Sequence, residues 1–493
     1  GTDALTADTL GSNSVAVGVG ALYTQNFTTA TNAYNVAVGR SAGLSVTTGV
    51  KNTLIGGLAG DAMTIGFNNI AIGYDALGTN TASGANVAIG YEALKTYNNT
   101  TEASHFNTAV GTQAGKAVTT GVQNTLIGGG AGDALTDADS NVAIGYLSLT
   151  TDTLGSRSIA IGQGALYSQN FTTGTNSYNV AVGYEAGGAV TTGDSNTLIG
   201  GLAGDALTVG NSNVVLGYNA LSSDTKGDRS VAIGMATLTT QNFTTSTDAY
   251  NTAVGFAAGN AVTTGIQNTL IGGVAGDALD VGSFNVVMGT SALGADTKGS
   301  YSVAIGHAAL TSQNFTTATD AYNVAVGRAA GGAVSTGIQN TLIGGLAGDA
   351  LTNSNYNTAV GYSTLSTDTL GARNTAVGHE ALGSQNFTTA TDSYNTAVGM
   401  AAGRLVTTGV ENTFIGGLAG DALNTGNVNV ALGARALGAD TKGNHSTALG
   451  YAALDAQNFT TSTDTYNVAV GSNAGGAVTT GIKNTLIGNG NGD

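Results

Sequence analysis

A five-residue motif recurs along the whole chain, and it restricts the fold more than any other feature. It begins with Asn or Ser, continues with a β-branched residue, usually a small or aliphatic residue and an aliphatic residue, and closes with Gly, as in Asn35 to Gly39. It occurs 27 times, and the spacing of its closing glycines repeats in the order 21, 17, 17 and 17, which makes a 72-residue super-repeat; the first five are Gly18, Gly39, Gly56, Gly73 and Gly90. Such self-similarity is typical of repeat architectures. We therefore predict that residues 1–493 form one continuous array without separate domains, with six full super-repeats and a partial seventh, and that the array continues beyond both ends.

Each repeat has the residue chemistry of a β-strand followed by a turn. The residue three before every closing glycine is Val, Ile or Thr, which are favoured in strands, and no helical periodicity accompanies them. The closing glycine predicts a corner with positive φ or a close backbone approach. Stacked coils also explain why the chain has no proline, because a missing N–H would interrupt the ladder between coils. We predict an all-β fold, a β-solenoid or parallel β-roll of 27 coils.

Both faces of the predicted strand are apolar, which indicates association between chains. In the first long repeat, Val36 and Val38 share one face and Ala37 lies on the other. A strand that is buried on both faces reads as a continuous apolar run. The coil can bury one face in its own lumen, so the second face needs another chain. We predict a parallel homotrimer, with end-to-end polymerisation as a further option.

Composition excludes several classes of protein. The chain has no cysteine, which removes disulfide scaffolds, zinc ribbons and thiol nucleophiles. Its net charge of −16 and its lack of a Lys/Arg cluster argue against nucleic-acid binding. No apolar run approaches the ~18 residues of a membrane-spanning helix, so we expect no membrane insertion.

The runs Asn-Val-Ala-Val-Gly, Asn-Thr-Ala-Val-Gly and Ser-Val-Ala-Ile-Gly, the last at Ser230 to Gly234, resemble the head repeats of trimeric autotransporter adhesins. They are also similar to repeats of bacteriophage tail fibres. Both the shorter and the longer coil of this chain exceed the coil length of the adhesin heads. The resemblance implies a parallel trimeric β-roll, a passive fibre and a role in surface attachment.

Residues with catalytic or ligand-binding chemistry do not form a repeated constellation. The four histidines, His105, His307, His379 and His445, do not keep a common place in the super-repeat. One aspartate per super-repeat follows a Gly-Gly-x-Ala-Gly run, and three chains could bring three such aspartates to one axis as a cation site; otherwise each caps a turn. These are Asp61, Asp133, Asp205, Asp277, Asp349 and Asp421. We predict no catalytic residue, no metal ligand and no cofactor.

The 21-residue repeat carries an Asn-x-Thr sequence in all seven copies, and it has two interpretations. It is either an N-glycan acceptor on an exposed loop or an Asn/Thr turn retained for its local hydrogen bonds. The asparagines are Asn26, Asn98, Asn170, Asn242, Asn314, Asn386 and Asn458.

The same repeat carries an aromatic band that also has two interpretations. Together with Phe27 and its equivalents, the band forms either a small satellite core under the loop or a stripe that contacts carbohydrate or a partner. Its second members are Tyr34, Phe106, Tyr178, Tyr250, Tyr322, Tyr394 and Tyr466.

Taken together, the sequence predicts a structural fibre outside the cell: a cell-surface or secreted filament, or a virion fibre, that acts as a stiff spacer. The alternative is an adhesin that binds surface glycans or a receptor through its long repeats in a multivalent array. Ice binding would need a flat threonine ladder on every coil, which the sequence lacks.

Overall fold

The computed structural model describes residues 1–490, and within that range all of the regular structure is β-strand. None of these residues forms a helix long and apolar enough to cross a membrane. Contacts divide the chain into two compact units, Gly1–Ala249 and Tyr250–Asp493. Each unit is by itself a parallel β-solenoid, as the motif predicts.

Every motif supplies one three-residue strand. The strands of the first unit are Val15–Val17, Val36–Val38, Thr53–Ile55, Ile70–Ile72, Val87–Ile89, Thr108–Val110, Thr125–Ile127, Val142–Ile144, Ile159–Ile161, Val180–Val182, Thr197–Ile199, Val214–Leu216 and Val231–Ile233. The strands of the second unit are Thr252–Val254, Thr269–Ile271, Val286–Met288, Val303–Ile305, Val324–Val326, Thr341–Ile343, Thr358–Val360, Thr375–Val377, Thr396–Val398, Thr413–Ile415, Val430–Leu432, Thr447–Leu449, Val468–Val470 and Thr485–Ile487.

Within each unit these strands pair in parallel with the strand of the next coil, in register. Val36 pairs with Thr53, which holds the same place in the following motif. Across a long coil the partners are likewise equivalent residues, as with Val15 and Val36. The sequence period therefore equals the length of one coil.

The long coil adds a second, shorter pairing that its four extra residues make possible. Two-residue strands on the long coil pair in parallel with two-residue strands of the coil before it. The pairs are Gly11–Ser12 with Thr31–Asn32, Gly155–Ser156 with Thr175–Asn176, Gly227–Asp228 with Thr247–Asp248, Gly299–Ser300 with Thr319–Asp320, Gly371–Ala372 with Thr391–Asp392, and Gly443–Asn444 with Thr463–Asp464. In the second long coil a single bridge, Gly84 to Ser104, takes their place.

The lumen of each coil is filled by small and aliphatic side chains. The central residue of the strand points inward, and Ala37 and Leu54 have no exposed surface. The alanine after the closing glycine, such as Ala42, is also fully buried. In every three-residue strand except the first and the last the burial pattern is the same: the centre is buried and the two flanking residues are half-buried or exposed. Of the two apolar strand faces, the β-branched one therefore faces outward.

The closing glycines occupy the predicted corner. Gly39 has a φ of 142°, which favours glycine. A Cβ on Gly39 would lie 2.3 Å from the carbonyl oxygen of Gly56 in the next coil. Both parts of the expectation, positive φ and close approach, are confirmed.

A ladder of buried side chains runs inside each unit at the first position of the motif. The backbone N–H of Asn340 donates to Oδ1 of Asn323 at 2.9 Å, and its Nδ2 donates to the carbonyl of Ser354 at 2.8 Å. Its own Oδ1 accepts from the N–H of Asn357 at 3.0 Å. Asparagine is retained here because one amide supplies both the acceptor and the donor that consecutive coils require.

Substitution of Asn340 with Leu is expected to destabilise the second unit by about 2–5 kcal/mol, because it leaves buried backbone groups without partners. Asn340→Ser should cost less, since serine stands at the equivalent places Ser158 and Ser302. The midpoint of urea unfolding measures both. Equal midpoints for the two variants would show that the ladder does not carry this stability.

Candidate functional site

The outward face of the strands is uncharged in each unit, and it combines a column that is aliphatic throughout with a column of Val, Ile and Thr. Its residues stand one and three positions before the closing glycine, and we call these the outward strand positions. Every residue directly before a closing glycine is Val, Ile, Leu or Met, and no charge occurs at either position. Ile343 is 38% exposed and Leu432 is 47% exposed. Large contiguous patches of exposed apolar residues are typical of interaction sites.

Aromatic side chains border this face on both sides. We call the residues five before each closing glycine the leading column and those directly after it the trailing column. Of the 18 tyrosines, 17 are exposed. The leading column holds Tyr34, Tyr178, Tyr250, Tyr301, Tyr322, Tyr356, Tyr394 and Tyr466. The trailing column holds Tyr74, Tyr91, Tyr146, Tyr184, Tyr218, Tyr362 and Tyr451.

Within a column, rings of successive coils stack. In the leading column the ring of Tyr301 lies 4.8 Å from that of Phe284 and 5.1 Å from that of Tyr322, measured between centroids. In the trailing column the rings of Tyr74 and Tyr91 stack at 5.9 Å. These stacks pack exposed rings of neighbouring coils against one another.

The structure separates the two members of the predicted aromatic band. Phe27 and its equivalents are buried beneath the long loop and form the satellite core. Tyr34 and its equivalents, with Phe106, are instead about half exposed and belong to the leading column. The satellite-core interpretation therefore holds for the phenylalanines and is wrong for the tyrosines. A contact role for the tyrosines stays a prediction.

Polar groups accompany the exposed tyrosines at several long coils. The guanidinium of Arg373 lies 4.8 Å from the ring centroid of Tyr356 and 5.7 Å from that of Tyr394. Its Nε is 3.0 Å from a carboxylate oxygen of Asp392, and this carboxylate raises the pKa of Arg373. An equivalent arginine, Arg157, donates to the hydroxyl of Tyr178 at 2.7 Å.

The seven Asn-x-Thr asparagines lie on the long coil, and six of them are exposed; Asn98 is half-buried. In each copy Oδ1 accepts a hydrogen bond from a threonine hydroxyl of the preceding coil, at 2.8 to 3.2 Å. Thr297 and Asn314 are one such pair, at 3.1 Å. A structural contact thus supports the second interpretation of these asparagines.

We expect the seven asparagines to be unmodified in protein purified from its natural source, because this contact accounts for their retention without a glycan. Peptide mass spectrometry across the long coils should give unmodified masses at all seven places. A hexose-bearing peptide at Asn314 or an equivalent asparagine would refute this expectation.

A buried carboxylate network anchors the long coil, and sequence reasoning missed it. Oδ2 of Asp296 accepts from Nε2 of Gln313 at 2.6 Å, and its Oδ1 accepts from the N–H groups of Gly299 and Phe315 at 3.0 and 3.3 Å. Asn323 in turn donates to Oε1 of Gln313 at 2.8 Å. Burial raises the pKa of Asp296. The network needs a group that accepts on both oxygens, and a carboxylate does so.

The sequence repeats contain a pattern that points to this network: its aspartate and its glutamine change together. Aspartate and glutamine occur together in six copies, and both are replaced in the second copy, by Asn80 and Tyr97. Correlated replacement of two polar residues, one coil apart, indicates that their side chains touch.

Asp296→Asn should lower the free energy of unfolding by ~1–3 kcal/mol, because the new amide would turn a donor toward Gln313. The folded-state pKa of Asp296 is raised, so the wild type gains stability relative to the variant as the pH falls through that pKa. The cost of the substitution should therefore be larger near pH 4 than at pH 7. Urea unfolding at both pH values measures it, with exposed Asp320→Asn as the control; a cost that shrinks on acidification would contradict the assignment.

The remaining candidate residues, which are the repeated aspartates and the histidines, do not come together in one site. Burial raises the pKa of Asp61, Asp205, Asp277, Asp349 and Asp421. In residues 1–490 no three His, Cys, Asp or Glu side chains group as a metal site would require. His105 is buried, and burial lowers its pKa. His307 and His379 lie in the trailing column and His445 in the leading column.

No protein-family model matches the chain, and no curated protein matches it significantly.

Proposed function

We propose that the protein is a structural fibre protein, a stiff homotrimeric filament or shaft outside the cell that acts as a passive spacer. The observation that carries this proposal is the outward aliphatic surface, which is formed by the residue directly before every closing glycine and has no charge at any outward strand position. Such a surface supports association with identical chains, because each chain would bury the same exposed residues of its neighbours. The buried Asn ladder and the in-register pairing support stiffness, since every coil is hydrogen-bonded to the next within a unit.

The resemblance to adhesin heads and tail fibres supports a place outside the cell. Absence of cysteine is compatible with that place, because no thiol then has to be kept reduced. Electron microscopy of the purified protein tests the proposal. We expect straight rods or threads, and the stacked strands predict a length on the order of 65 Å for the coils of one unit at ~4.8 Å each. Compact particles of monomer size would refute it.

A second function is favoured by the exposed tyrosines beside the long coils. Rings flanked by charged groups, as at Tyr394 with Arg373 and Asp392, suit the apolar face and the hydroxyls of a sugar. The long coils would then present glycan-binding groups as a multivalent array on the fibre. A glycan array decides between the two functions: no binding by the purified oligomer favours the passive spacer.

A further inference from the structure

We propose that, in the trimer, the leading column of each chain packs against the trailing column of the next chain and forms three aromatic seams. This inference rests on the proposed trimer and specifies how its chains meet. Each column is covered by a second copy of this chain, as its exposed area, its charge and the symmetry of the trimer indicate.

The exposed rings have enough area for a stable contact. A tyrosine side chain can bury roughly 150–250 Å², and those in the two columns are about half exposed. Fifteen tyrosines at roughly 100 Å² each give on the order of 1,500 Å² per chain. A standard interface buries about 800 Å² on each partner. In one seam the leading column contributes about 800 Å² and the neighbour's trailing column about 700 Å², so each seam comes close to the area of a standard interface.

The charges of the two columns differ. The leading column contains one acid, Glu411, and five basic residues, which are Lys51, Arg157, Arg229, Arg373 and Lys483. The trailing column contains no acid, two arginines and seven tyrosines. Contact between the leading columns of two chains would therefore bring residues of like charge together. When leading and trailing columns meet at the same coil, each of these five basic residues instead lies opposite an uncharged residue or a histidine. The opposing residues are Gly57, Gln163, Met235, His379 and Asn489.

Symmetry connects this preference to the orientation of the chains. When parallel chains surround an axis that runs along them, the leading edge of each face meets the trailing edge of its neighbour. An antiparallel two-fold pair that joins the same faces brings identical columns together. The charge distribution therefore favours parallel chains with unlike columns in contact.

Cysteine cross-linking tests the seam, because the chain has no cysteine of its own. Ser212 stands in the leading column and Tyr218 in the trailing column of the same coil, and both are exposed. We would make Ser212→Cys, Tyr218→Cys and the double variant, and treat each assembled protein with a short bis-maleimide. The two residues flank the strand Val214–Leu216 on opposite sides, and a link between the two thiols of one chain would leave the protein at the mass of a single chain on the gel.

The double variant should run mainly as a covalent trimer on a denaturing gel, whereas each single variant should stay uncross-linked. Efficient dimers from Ser212→Cys alone would show that like columns meet and would overturn the inference. No cross-link in a double variant that light scattering shows to be trimeric would also overturn it, while the proposed trimer stands. A monomeric mass for the untreated wild type would refute both.

Discussion

Gly416→Ala should prevent the second unit from folding normally, with a loss of stability of at least ~4 kcal/mol, which is exceptional for one methyl group. Gly416 has a φ of 134°, a region that side chains rarely adopt. A Cβ there would lie 2.6 Å from the carbonyl carbon of Gly433 in the next coil. Because Gly416 and Gly433 both belong to hydrogen-bonded backbone of neighbouring coils, neither residue can move away without opening the ladder between the coils.

The adjacent residue provides a matched control. Gly417 has no positive φ, and a Cβ there would meet no atom within 4 Å. Gly417→Ala should therefore leave the unfolding midpoint nearly unchanged. The alanine also lowers the conformational entropy of the unfolded chain slightly, which stabilises the folded variant. Soluble yield and urea unfolding of the two variants give the comparison. Similar stability for both would show that the closing glycine is not required by the geometry of the corner.

The second large effect is expected at the outward strand positions. Ile343→Asp combined with Ile415→Asp should convert the oligomer into monomers. In a trimer the two new carboxylates of each chain would be buried together with four from its two neighbours, and separation of the chains avoids this cost. We expect association to weaken by at least ~100-fold, since every 1.4 kcal/mol is a factor of ten. The fold of each chain should persist, because both side chains are 38% exposed in the single chain.

Sedimentation velocity measures the change in assembly, and circular dichroism checks that the strands remain. Thr389→Asp serves as the control, because this threonine is exposed on the loop of a long coil and lies away from the outward strand positions. A double variant that keeps the oligomeric mass of the wild type would show that these residues are not at the interface.

The repeat pattern was sufficient to predict the coil, its parallel pairing and the corner glycine, because spacing and residue type are local properties of each motif. It could not decide which apolar strand face points outward, since Val36 and Ala37 are both compatible with a buried position. The structure decides this: the central residue of the strand, Ala37 in one coil and Leu54 in the next, is fully buried in the lumen, and the residues that flank it face outward.

The buried polar groups were harder to predict, because their partners lie one coil away. Asn340 reaches Asn323 and Asn357, and only the three-dimensional stacking shows that one amide serves both. The exposure of Tyr34 was also hidden in the sequence. Its neighbour Phe27 is buried beneath the same loop, and aromatic residue type alone does not separate the two.

Light scattering of the wild-type protein during size-exclusion chromatography tests the central claim most directly, because the outward aliphatic surface is proposed to be covered by two identical chains. The chain mass is 48.2 kDa. We expect about 145 kDa, three times that value, and the same mass on dilution to micromolar concentration, since an interface of more than ~1,000 Å² should persist there. A stable particle with the mass of a single chain would contradict the account.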